Sequence, residues 1–163
     1  MTTAMSDPKR EMLRHTAATL AYRGGKILRG APGEFGAFKI SEGTRTPGQI
    51  LAHIGDLLDW ALWLAKGEHE WHDSDPLPWD QGVQRFFAAL EVFDGYLASD
   101  LPLLCPAEKI FQGPIADALT HFGQIAMLRR IAGAPVRGES YYRAEIAVGR
   151  VGPEQAAPVR EFD

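Results

Sequence analysis

Four stretches of this chain repeat apolar side chains at helical spacing, and none alternates them at strand spacing. That periodicity argues against sandwiches and parallel sheets and predicts an all-α fold. The first stretch runs from about Asp7 to Leu28, with Asp7 placed to cap it and Pro8 in the first helical position, where a missing N–H costs nothing. The second opens at "TPGQ", with Thr46 as N-cap, and stops at Gly67. Along it Ile50, Leu57, Trp60 and Leu64 fall on one side, and Asp56, Asp59 and Lys66 are expected to turn to water. The third covers about Trp79 to Ser99 and buries Val83, Phe86, Phe87, Leu90 and Phe93. The fourth is expected from Pro114 to just before Gly133, with Pro135 beyond its end.

Helices of this length with modest connections pack most simply as a four-helix bundle. A chain of 163 residues can build one sizeable core without disulfide or metal staples, so residues 1–163 read as a single domain. The segment after Gly133, with "YYRAEIAVG", is less regular and reads as a C-terminal extension, either a short helix or a cover over one end of the bundle. A composition of 45% hydrophobic and 23% charged residues excludes a disordered chain.

Net charge and greasy runs narrow the partners. At -4 the chain offers phosphate backbones no broad attraction, and its densest basic block is the pair Arg129 and Arg130, so nucleic acid is not expected. The start, "MTTAMSDPKREM", lacks a leader-like apolar run, and "LLDWALWLA" is short and interrupted by Asp59. A soluble, cytoplasmic protein without a membrane partner is expected. The single cysteine, Cys105, has no internal disulfide partner and reads as a small core hydrophobe.

One histidine breaks the apolar pattern. His53 lies between Ile50 and Leu57 on the buried stripe of the second helix, as either a core imidazole satisfied by one hydrogen bond or a metal ligand. On the fourth helix, "IADALTHFGQIAMLRRIAG" sets Asp117, His121 and Gln124 along one line, opposite Ile115, Leu119, Phe122 and Ala126. That line is either a solvated face or half of a site, and Asp117 also suits the positive end of the helix dipole. Two imidazoles and one carboxylate from two helices would suit Zn, Fe, Ni or Mn, and three protein ligands leave positions open for chemistry.

"ILAHIGDLLDW" and "DALTHFGQ", in this order and helix context, resemble motifs of the DinB-like superfamily, which includes bacillithiol- and mycothiol-dependent transferases. The resemblance spans roughly residues 10 to 132. Under it His53 and His121 match metal ligands, and Asp117 stands where a histidine is usual, a change that keeps a ligand but adds negative charge and hardness. The resemblance implies a homodimeric bundle holding a divalent transition metal and joining a low-molecular-weight thiol to a small electrophile, or a hydrolase built on the same centre. Gln124 would then act catalytically, by bonding a bound water or orienting substrate. Arg129, Arg130 and Arg143 would face the carboxylates of the thiol, although the first two are more simply read as decorating a helix C-terminus, where positive charge is favoured. Glu139, Tyr141 and Tyr142 would lie at the pocket mouth or serve as packing.

A second class of function competes: a non-catalytic dimeric bundle with a relic or structural metal, binding a partner through the segment holding Trp60, Trp63, Trp71 and Trp79. Tryptophans at such density more commonly belong to a core. His69 and His72 in "GEHEWHDSD" read as an exposed acidic and histidine-bearing loop.

Overall fold

The structure, a computed structural model, describes residues 7–162. The start of the chain, residues 1–6, lies outside the described part. The described residues are mostly helical: α1 (Pro8–Leu28), α2 (Pro47–Ala65), α3 (Trp79–Ala98), α4 (Ala107–Ile110) and α5 (Ala116–Ile131). A two-residue antiparallel pair, β1 (Gly138–Glu139) with β2 (Glu161–Phe162), sets Gly138 opposite Phe162.

Local chemistry fixes the helix ends. Asp7 accepts a 3.0 Å hydrogen bond from the Lys9 amide at the start of α1, ahead of Pro8. At α2, Thr46 and Gln49 form a reciprocal capping box, each side chain bonding the other's backbone N–H. Gly67 ends that helix with φ of +80°, a conformation that costs a residue with a Cβ.

Tertiary packing rests on the periodic apolar faces. α2 lies against α3 and α5, and α1 against the same two helices. Their shared interior holds Leu20, Ile54, Leu57, Phe86, Leu90 and Phe122, all essentially removed from water. On the aromatic scale this core is large: truncating Phe86 or Phe122 would cost about 3–5 kcal/mol.

The last helix departs from expectation. Instead of opening at Pro114, the helical path begins at Ala107 and crosses a π-helical turn, Phe111–Ile115, before entering α5. "GP" reads locally as punctuation because proline lacks an N–H and collides with the preceding turn. A wider π turn accommodates that ring, and burial of Ile110 and Ile115 at 0% exposure holds the segment helical.

Beyond α5 the chain is irregular apart from the strand pair and a 3-10 turn, Tyr141–Arg143. It is pinned to α1 by polar contacts. Glu139, fully buried, accepts from the Tyr22 hydroxyl at 2.7 Å and from Lys26 Nζ at 2.8 Å, and the same Lys26 reaches Glu161 at 2.8 Å. Among the described residues no helix is long and apolar enough to cross a membrane.

Candidate metal centre

His53 and the line from Asp117 to Gln124 meet where α2 packs on α5. His53 Nε2 lies 3.6 Å from one Asp117 oxygen, and His121 Nε2 lies 3.4 Å from the other. The two imidazoles stand edge to face with centroids 4.7 Å apart, and one donor atom from each of the three residues falls within 4.8 Å of the others. The polar line is therefore neither wholly solvated nor buried: the Asp117 side chain is 47% exposed, against 14% for His121 and 19% for His53.

The residues fit a cation. Separations of 3.4 and 3.6 Å are long for direct hydrogen bonds. They run to different oxygens of Asp117, and two imidazole nitrogens and a carboxylate within 4.8 Å of one another are a donor set that suits a divalent transition metal. The tautomer is also suitable. His121 Nδ1 donates to Gln124 Oε1 at 2.8 Å, which leaves the Nε2 lone pair facing Asp117. Gln124 thus sits behind a ligand and acts on the centre through His121. Burial, followed by the charges of His121 and Arg45, pushes the His53 imidazole below its ordinary pKa against the pull of Asp117, which favours the neutral, ligating form.

An aromatic wall stands over one side. Trp71, in the loop after α2, meets His53 edge to face at 5.6 Å and Trp60 at 5.7 Å. Periodicity could not find Trp71, because the contact that brings it here is made from a loop and carries no helical register. The tryptophans do not form a common core. Only Trp79 is buried; Trp60 and Trp63 are half-buried, and Trp71 is exposed.

The same loop corrects the expectation for the acidic side of α2. Asp56 is 2% exposed rather than solvated, and Asp59 is half-buried. Arg85 of α3 reaches Asp56 at 2.6 Å and Asp59 at 3.0 Å, Ser74 donates to Asp56 through both its amide and its hydroxyl, and His72 Nε2 lies 2.9 Å from Asp56. Burial pulls the Asp56 carboxyl upward, but the bonds from Ser74 and Arg85 outweigh it and hold the pKa below the ordinary carboxylate value. A Cβ on Gly55 would lie 2.6 Å from the Arg85 guanidinium, so glycine makes the approach possible.

The two arginines on α5 have other surroundings. Arg129 is buried and donates to the carbonyls of Ile27, Arg29 and Gly30 at the end of α1 and of Ala134. It closes carbonyls that the helix end leaves open. Arg130 borders a cavity on the face of α5 opposite the three ligands, together with Glu139 and Tyr141. Neither guanidinium stands over the histidine pair. Tyr142, at 98% exposure, and Arg143 face solvent. Cys105 is half-buried and packs against the core.

No protein-family model matches the chain, and no curated protein or solved structure matches it either.

Proposed function

We propose that this chain is a DinB-like four-helix-bundle protein that holds a divalent transition metal between α2 and α5 and catalyses thiol-dependent S-transfer to a small electrophile. The observation that carries this reading is the convergence of His53, Asp117 and His121, from distant segments, with one donor atom from each within 4.8 Å of the others. The mutual packing of α1, α2, α3 and α5 supports the bundle. The motifs in "ILAHIGDLLDW" and "DALTHFGQ" support the family, and with it a cytoplasmic homodimer.

A bound cation would supply Lewis acidity, lowering the pKa of a thiol or a water in its open positions. The side chains prepare the rest. His53 and His121 offer neutral nitrogens, Asp117 adds a hard anionic oxygen, and Gln124 fixes the ring of His121. Trp71 and Trp60 give the electrophile an apolar wall and shield the His53 side from water. In the transfer, a sulfur lone pair forms the new C–S bond, the leaving group departs with the electrons of its bond to carbon, and the thiol proton passes to water beside the exposed edge of Asp117.

Metal analysis of untagged protein prepared without chelator tests the reading. One equivalent of metal is expected, lost in His53→Ala and His121→Ala, and the wild-type protein should consume bacillithiol or mycothiol with an alkyl halide in equal amounts. A metal-free protein indistinguishable from both variants would overturn it; loss of the halide without loss of thiol would reassign the centre to hydrolysis.

A further inference from the structure

On the side of α5 away from the histidines, Leu119, Gly123, Ala126 and Arg130 share one face. This face borders a cavity of about 260 Å³ that α1 closes with Arg23 and Ile27, and that the tail closes with Val136, Tyr141 and Phe162. The floor is apolar, and three of the four charged side chains in the lining are arginines. Arg23, half-buried, holds its guanidinium 4.2 Å from the centre of the Tyr141 ring. Neither the Arg23 nor the Arg130 side chain makes a hydrogen bond or an ion pair among the described residues, and Arg130 is exposed. Arg137, also in the lining, pairs with Glu161 at 3.4 Å.

The lining contains one carboxylate, Glu139, and it is already engaged. Tyr22 and Lys26 hold its two oxygens, and its side chain is 0% exposed. Half-buried Arg23 and exposed Arg130 therefore border an apolar hollow in which, among the described residues, no acidic side chain is left to meet them, in a chain whose net charge is -4. Partly desolvated arginine favours a carboxylate or phosphate that can accept two N–H groups at once.

We propose that this cavity is a second ligand site, independent of the metal centre, which binds a small anion carried on an apolar body: a carboxylate or phosphate ester of about one ring. Arg130 and Arg23 receive the anionic head, and Leu119, Ile27 and Val136 contact the body. A hollow of roughly 150 Å³ holds benzene, so the volume suits a ring with its head group. Gly123 faces open space: a Cβ there would meet nothing within 4 Å.

Titration with benzoate, phenyl phosphate, inorganic phosphate and neutral benzamide, followed by NMR at the arginine Nε–H groups, tests the proposal. Benzoate or phenyl phosphate should shift Arg23 and Arg130 saturably with a Kd on the order of 1 mM or below. Whichever of the two binds more tightly names the head group as carboxylate or phosphate. Arg130→Gln, which removes the charge, and Gly123→Leu, which fills the hollow from an open helix face, should each weaken binding by about tenfold with the circular dichroism and metal content unchanged. Three results would overturn the site: no saturable shift up to about 10 mM, benzamide binding as well as benzoate, or inorganic phosphate binding as well as phenyl phosphate. Retained affinity in Gly123→Leu would do the same.

Discussion

Two clusters of nearly identical composition lie side by side on α2, and they are built for opposite ends. His53, Asp117 and His121 form one; Asp56, Asp59 and His72 form the other, and in both the donor atoms fall within 4.8 Å of one another. The second carries its own cation. The Arg85 guanidinium contacts both aspartates and bonds the Ala52 carbonyl, so the charge in that cluster is matched by the chain itself. Around His53 no guanidinium among the described residues pairs with the carboxylate, Arg45 acting on the imidazole only as a neighbouring charge; that carboxylate is half open to solvent, and the Gln124 amide fixes the His121 lone pair. Donor spacing alone does not distinguish a fastening from a site. What distinguishes them is whether the protein supplies the positive charge.

The largest effect that would break this contrast concerns Arg85. Its replacement by Met leaves Asp56 buried with an unmatched charge, and with the guanidinium itself partly exposed the expected loss is roughly 2–3 kcal/mol. Asp117→Asn, at an exposed carboxylate, should change stability by less than about 0.5 kcal/mol. Urea unfolding of both variants measures the difference, and equal losses would erase the distinction. The next effect is on affinity. Gln124→Ala should weaken metal binding by about 10- to 100-fold through the freed ring of His121, read by competition with a chromogenic chelator, with unfolding unaltered.

The smallest expected effect is the order in which acid reaches the clusters. In the metal-free protein His53 has a depressed folded pKa, so the unfolded chain takes up its proton first and stability falls as pH drops below about 6.5. Asp56 is also depressed, but from a carboxylate value. Its contribution is fully present above about 3.9 and is lost only as pH falls through its lower folded pKa. Stability measured against pH should show two separate declines, with His53→Ala removing the one near neutrality and Asp56→Asn the acidic one. A single decline common to both variants would contradict the assignment.

Much of the architecture was legible because it is periodic. The caps at Asp7 and Thr46, the stop at Gly67 and the apolar faces of α1 to α3 all follow from local chemistry. The meeting of His53 with Asp117 and His121 was legible too, since an imidazole on an apolar stripe and an i, i+4 pair have few ways to be satisfied together. Other features depend on contacts that no local pattern encodes. Pro114 looked like a beginning because the π turn around it is held by tertiary burial. Asp56 looked solvated because its partners, Arg85 and Ser74, come from α3 and a loop. Arg129 read as a contact for the thiol or a charge at the end of its own helix because the carbonyls it caps at Ile27 and Arg29 belong to the end of another.

Surface loops usually accept insertions and deletions freely. The segment following α2 is an exception, because consecutive residues lean to different flanks of that helix: Trp71 against His53 and Trp60, His72 against Trp63 and Asp56. Adding or removing one residue there can preserve one of these engagements only by giving up the other. Length, more than amino-acid identity, is what this short stretch of surface cannot vary.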